Sequence, residues 1–190
     1  MKGYNKLIIV GKGASGKDYL RKYLKNKGVS VSILHTTRPK RSGEYHKKDY
    51  YFIGNKKFNN IKEEGSFLYT QEFEVINPKN KEKEKIQYGI TKKQFYKNRV
   101  HVLTPFAVES LKEYILNQCH VLYLDIDDNI RRKRMSTRKN MLDEVERRIT
   151  SDNMDFNEFN RYDKLIQDPN FDAEEIYMDI MFSFEIAKSS

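Results

Sequence analysis

Cysteine is nearly absent. Cys119 is the only one in 190 residues, so no internal disulfide can staple the chain, which suits a reducing compartment. The four histidines, His35, His46, His101 and His120, are scattered, and no Cys/His cluster has the spacing of a metal site. Long apolar runs are missing as well. The stretch Leu7–Val10 is too short for a signal peptide, and nothing after it is long enough to cross a bilayer. A cytoplasmic protein without a membrane partner is therefore expected. Internal repeats are absent. Acid is scarce relative to base: 27 Asp and Glu stand against 36 Lys and Arg, a formal net charge of +9. That balance favours anionic partners such as nucleotides or nucleic acid, although a solvated basic surface produces the same number.

What is present suits one compact α/β domain. Hydrophobic residues make up 38% and aromatics 13%, enough for a core. Short apolar runs alternate with helical patterns. Strands are expected at Lys6–Val10, Val29–Leu34, Asp49–Ile53, Ser66–Phe73, Val100–Leu103, His120–Asp125 and Lys164–Ile166. Helices are expected at 17–27, 56–64, 91–98, 106–117, 127–137, 142–154 and 173–187, and residues 77–87, almost wholly charged, read as an exposed loop. This alternation predicts a parallel sheet with helices on both faces.

The strongest local signal is Gly11-Lys12-Gly13-Ala14-Ser15-Gly16-Lys17, which fits G-x-x-x-x-G-K directly after a buried strand and before a helix. Glycines allow the tight turn that converges backbone N–H groups on ATP phosphates, and the helix N-terminus adds partial positive charge. The expected ATP phosphate-binding residues are Gly11, Gly13, Ala14, Ser15, Gly16 and Lys17, continuing through Asp18 and Tyr19, and of these Lys17 can follow the β- and γ-phosphates. The next position normally carries a Ser or Thr hydroxyl for Mg²⁺, but here it is Asp18. A carboxylate is a good magnesium ligand, so Asp18 is the candidate metal residue, with Mg²⁺ accompanying ATP as phosphoryl donor.

After the second expected strand stands Thr36-Thr37-Arg38-Pro39-Lys40-Arg41-Ser42-Gly43-Glu44, followed by Lys48-Asp49-Tyr50-Tyr51-Phe52. Two guanidinium forks three residues apart, with proline stiffening the loop, can bind one dianionic phosphate. An isolated RPKR would read only as a basic surface loop. With its flanks, the stretch resembles guanylate kinases, which carry T-T-R-x-x-R-x-G-E leading to G-K-D-Y-x-F. The similarity continues through Glu64-Gly65-Ser66-Phe67-Leu68 and resumes at Tyr88-Gly89 after an insertion.

The resemblance implies a P-loop kinase core, an acceptor-binding subdomain and a helical lid. The expected divisions are core 1–33, 91–125 and 160–190, acceptor-binding part 34–90 and lid 126–159, with the small parts closing on the core when substrate binds. It implies that Arg38, Arg41, Tyr50 and Tyr88 grip the phosphate of a nucleoside monophosphate. It places Leu34, Tyr69 and Ile90 where guanylate kinases read guanine, so the carboxylate that makes such a pocket selective is missing. Glu72 is the nearby acid, but strand alternation turns it to the opposite face from Tyr69. Arg131, Arg134 and Arg138 recur on one helix face and Arg147 and Arg148 follow. The resemblance assigns Arg134, Arg138 and Arg148 to the charge-stabilising lid, beside Lys17. No acid ends the strand at Val100–Leu103, where the family has an aspartate.

The expected activity is ATP-dependent phosphorylation of GMP, dGMP or another nucleoside monophosphate with altered base specificity. The partners are small-molecule nucleotides rather than nucleic acid, and the protein is a monomer or homodimer. Bacterial ribose 1,5-bisphosphate phosphokinase, a relative that also has G-K-D in its loop, makes a sugar phosphate the alternative acceptor. A non-catalytic phosphopeptide-binding module is the alternative of another class, but such domains have degraded P-loops.

Overall fold

A computed structural model describes residues 3–76, 83–137 and 142–189. In chain order the elements are β1 (Lys6–Gly11), α1 (Lys17–Asn26), β2 (His35–Thr36), β3 (Tyr51–Phe52), α2 (Asn55–Glu63), β4 (Phe67–Ile76), β5 (Lys83–Thr91), α3 (Lys92–Lys97), β6 (Val100–Val102), α4 (Pro105–Ser110), α5 (Glu113–Leu116), β7 (Cys119–Leu124), α6 (Asp128–Ser136), α7 (Leu142–Phe156), β8 (Lys164–Ile166) and α8 (Ala173–Ser189). They fall into two compact units, residues 1–31 with 99–190, and residues 32–98.

The first unit is a parallel sheet in the order β6-β1-β7-β8. Every residue of β1 is buried, as expected of a strand covered on both faces. Leu7 and Ile9 join Leu122 and Leu124 against Leu20 and Leu24 of α1 and Ile176, Ile180 and Phe184 of α8. On the strand β7, Tyr123 alternates to the other face and stacks on Phe156 at 5.5 Å between ring centres, with Phe159 and Tyr162 around it. The parallel α/β architecture agrees with the alternation in the sequence.

The second unit is a mixed sheet in the order β3-β2-β5-β4. The β4–β5 hairpin pairs antiparallel from Phe67↔Thr91 to Ile76↔Lys83, with a bulge between Phe67 and Tyr69. One face carries His35, stacked on Tyr51 at 4.6 Å and edge-on to Phe67 at 5.6 Å, with Phe58 of α2 stacked on Phe67.

Three expectations change. Residues 29–34 do not form a strand: Val31 makes a single bridge to Val100 and ladder pairing begins only at His35, because the segment changes sheets. The helix expected over 106–117 breaks at Leu111 and Lys112, whose extended backbone (ψ 137° and 144°) turns Leu111 into the core. Thr104 caps the first piece by accepting from the Ala107 N–H, and Pro105 fits its first turn. The charged loop expected over 77–87 is strand from Lys83 onward, where Lys83 and Lys85 reach across to Glu74 and Glu72. Residues 77–82 lie outside the described residues.

Burial pushes the His35 imidazole pKa from 6.5 down to about 4, and the Lys57 and His46 charges add to the shift. A group that binds its proton less well when folded favours unfolding as pH falls from its unfolded pKa toward its folded one. Stability of this unit should therefore decline between pH 6.5 and about 4. Denaturant midpoints across that range should fall less steeply for His35→Phe than for wild type; parallel slopes would contradict the assignment.

Candidate functional site

The loop between β1 and α1 is shaped by backbone constraints. A Cβ on Gly11 would sit 2.7 Å from Ser15 Oγ and 2.8 Å from the Leu124 carbonyl oxygen, so only glycine permits this approach. Gly16 has φ +106°, in the region that favours glycine. Ala14 is left-handed at φ 60°, a strained conformation for a residue with a Cβ that persists only where the surrounding structure over-determines the backbone. The Lys17 ammonium turns back on the loop, donating to the carbonyls of Gly11 at 2.5 Å and Lys12 at 2.7 Å.

Beside this loop lies a cavity of about 610 Å³, bordered by Ser15, Gly16, Lys17, Arg134, Pro169 and Phe171. Asp18 and Tyr19 line it too, and the Tyr19 ring lies 5.9 Å from that of Phe171. The Asp18 side chain is 74% exposed and lies 3.6 Å from Arg21 Nε. Among the described residues no group of three or more His, Cys, Asp or Glu could hold a metal. A single exposed carboxylate still fits magnesium bound mainly by phosphate oxygens and water.

The sequence singles out Arg134, but it is Arg131 that the structure buries completely. Its Nε donates to the Gly13 carbonyl at 2.9 Å, one terminal nitrogen to Asp128 at 2.6 Å, and the other to Asp152. Asp152, on α7, also accepts from the Gly13 N–H at 2.8 Å. Asn153 donates to Asp128 at 2.6 Å. Burial raises the Asp128 pKa, but these hydrogen bonds outweigh it and hold the carboxyl below its ordinary value. Arg134 donates to the carbonyls of Ala14 at 3.2 Å and Pro169 at 2.7 Å. Arg148 is half-buried on α7, and Arg138 lies outside the described residues. Asp125, to which the sequence gives no role beyond ending an expected strand, directly follows β7. It lies 3.3 Å from Lys12 Nζ and accepts from the Tyr123 hydroxyl at 3.0 Å.

In the second unit, Arg38 is the centre of an anionic and aromatic cluster. Its Nε donates to the Tyr88 hydroxyl at 3.1 Å, and its two terminal nitrogens donate to the Glu44 carboxylate at 2.8 and 3.0 Å. The Tyr50 and Phe52 rings lie 5.5 Å from the guanidinium. Glu44 also accepts from the Arg41 backbone N–H at 2.8 Å, while the Arg41 side chain is exposed. Burial opposes ionisation of Glu44, yet the bonds to Arg38 and Arg41 hold its pKa below the ordinary value. Glu44 belongs to the sequence motif but has no role assigned from sequence; its spacing of six residues from Arg38 is the signal that points to the pair.

The expected base pocket is corrected at Glu72. Its carboxylate lies 2.8 Å from Lys85 on the opposite face of the hairpin from Tyr69, as strand alternation requires. Ile90 is fully buried, Tyr69 nearly so, and Leu34 is half-buried.

Removing the Arg131 guanidinium leaves Asp128 and Asp152 without their shared cation. Arg131→Met should lower unfolding free energy by about 3 kcal/mol, at the low end for broken buried pairs because both acids are partly solvated. Urea titration checks this, and a change below about 1 kcal/mol would show that the cluster does not hold the loop.

A sequence profile of the guanylate kinase family matches residues 4–183. A guanylate kinase from Prochlorococcus marinus is 37% identical over 95 residues, covering 47% of this chain and 52% of its own. One from Buchnera aphidicola is 37% identical over 89 residues, covering 44% and 42%. These two alignments thus span about half the length of the relatives. A guanylate kinase from Prochlorococcus marinus subsp. pastoris is 28% identical across 95% of this chain and 97% of its own. The crystal structure of guanylate kinase from Anaplasma phagocytophilum shares the fold, with a TM-score of 0.64 and 17% identity over the whole chain and 89% of that structure. With nearly the full length matched by the family profile, the chain belongs to the guanylate kinase family.

Proposed function

We propose that the protein transfers the γ-phosphoryl group of ATP to the phosphate of a nucleoside monophosphate. The observation that carries this reading is the intact phosphate loop, with Lys17 and Arg134 bordering one cavity. A module that only bound phosphopeptides would have no use for it. The relatives are guanylate kinases, so GMP is the reference acceptor. The altered residues at the base-reading positions support a site that does not strongly prefer it.

In the proposed reaction an oxygen of the acceptor phosphate attacks the γ-phosphorus, the bond to the β–γ bridging oxygen breaks, and ADP leaves. The protein's part is positioning and charge stabilisation. Lys17 leaves the two loop carbonyls for the phosphates, and the α1 N-terminus presents its N–H groups to them. Arg134 and Arg148 act on charge developing at the transferring group. Arg38, with Arg41, Tyr50 and Tyr88, holds the acceptor phosphate, and Glu44 keeps the Arg38 fork oriented. Asp18 would be the protein ligand of Mg²⁺, which neutralises β- and γ-phosphate charge when bound.

Coupled ADP release with GMP, dGMP, AMP, CMP, UMP and ribose 1,5-bisphosphate tests the reading. Lys17→Ala should abolish turnover. Arg38→Ala should lower kcat/KM for the acceptor by about ten- to a hundredfold, the loss of one charge-assisted contact, with ATP affinity nearly intact. A folded wild type that turns over none of these acceptors would overturn the assignment.

Asp18→Asn should raise the magnesium concentration needed for half-maximal rate and lower kcat. Unchanged magnesium dependence in the folded variant would remove Asp18 from metal handling.

A further inference from the structure

Pleating gives the β4–β5 hairpin two different faces. Tyr69, Gln71 and Phe73 alternate onto one face of β4, opposite Ile90, Tyr88 and Ile86 of β5. Thr70, Glu72 and Glu74 take the other, where Glu72 and Glu74 pair with Lys85 and Lys83. The first face also carries the anion grip. Tyr88 accepts from Arg38, lies 6.0 Å from Tyr50, and packs edge-on to Phe73 at 5.7 Å.

Gln71 is the cross-strand partner of Tyr88. Such pairs have Cβ atoms about 5 Å apart, so the amide stands one side chain from the tyrosine that meets Arg38. On its other side, Gln71 Oε1 accepts from the Tyr69 hydroxyl at 2.5 Å. Gln71 is half-buried while Tyr69 and Ile90 are buried. Of these three, Gln71 is the one polar and accessible enough to meet a ligand held at Arg38.

We propose that Gln71, oriented by Tyr69, reads the edge of the acceptor's nucleobase; this rests on the acceptor assignment above. A carboxylamide presents a donor and an acceptor side by side. That set complements a base edge with one donor beside one acceptor, such as the amino group and ring nitrogen of adenine or cytosine. Guanine's adjacent N1–H and N2–H are met together by the two oxygens of a carboxylate, whereas an amide meets only one acceptor–donor pair of guanine, O6 with N1–H, no better than the corresponding pair of another base. With Glu72 on the far face, no acid of β4 is available for that role. Gln71 is thus a specificity-determining residue that accepts several bases without selecting guanine.

The test uses equilibrium binding by calorimetry, which does not require turnover. GMP, AMP, CMP, UMP and ribose 5-phosphate are titrated into wild type, Gln71→Glu and Gln71→Leu, each shown to be folded by its thermal transition. Wild type should favour GMP over AMP by less than about tenfold, the worth of one hydrogen bond. Gln71→Glu should raise the GMP-to-AMP affinity ratio by about tenfold or more. Gln71→Leu should weaken AMP and CMP about tenfold and leave ribose 5-phosphate unchanged. Ratios unmoved in both variants would overturn the proposal, as would equal losses for ribose 5-phosphate or no binding of any nucleotide. Base-dependent binding that shifts as described in a protein without turnover would uphold Gln71 and remove the kinase assignment instead.

Discussion

A single buried cation, Arg131, ties the phosphate loop to the helices around it. Each of its three nitrogens donates to an oxygen, of the Gly13 carbonyl, Asp128 and Asp152 in turn, and Asp152 closes the circuit by accepting from the Gly13 N–H. A guanidinium with no exposed surface is tolerated only when its donors are satisfied. The arrangement therefore fixes Gly13 from both sides of its peptide groups. It also links α6 and α7, the two helices that carry Arg134 and Arg148, to the turn that precedes α1.

The same economy recurs at the other anion-seeking groups. The Lys17 ammonium is held by carbonyls, the Arg38 fork by Glu44, and the Gly13 N–H by Asp152. Each cationic or N–H group already has an oxygen partner in the protein, so none has to be held unpaired. For the proposed reaction, this means that phosphate binding exchanges one oxygen acceptor for another. The net gain is the difference between a dianion and a carbonyl or carboxylate, smaller than the gross strength of the new bond. It also keeps the side chains close to their working positions, which lowers the entropy lost on binding.

Local chemistry was legible in the sequence where spacing alone dictates it. Gly11, Gly16 and Lys17 had to form a turn before a helix, and strand alternation alone put Glu72 opposite Tyr69. Arg131 and Arg134 could be set on one helix face from their spacing, and both reach loop carbonyls. What spacing could not show was that Arg131 is buried, because its partner Asp152 lies 21 residues away on another helix. Asp125 was hidden for the same reason: Lys12 meets it only because β1 and β7 are neighbours. The segment 29–34 looked like a strand by composition. Whether an apolar run pairs depends on which sheet lies beside it, and this one changes sheets midway.

The hairpin shows how a charged insertion can lengthen a sheet without spoiling its pairing. Inserted residues that alternate Lys with Glu and Ile place like groups on one face when they extend a strand. Lys83 and Lys85 meet Glu74 and Glu72 in solvent, at 57–77% and 47–65% side-chain exposure. Exposed cross-strand pairs contribute little each, roughly 0.2–1 kcal/mol, but they satisfy charge on the far face and help pin the register. Because a slip of one residue would send every side chain to the opposite face, that register is what keeps Gln71 across from Tyr88, which accepts from Arg38. The ion pairs on one side thus help set the register of the polar and aromatic surface on the other, so charge that reads as loop in the sequence takes part in the strand pairing.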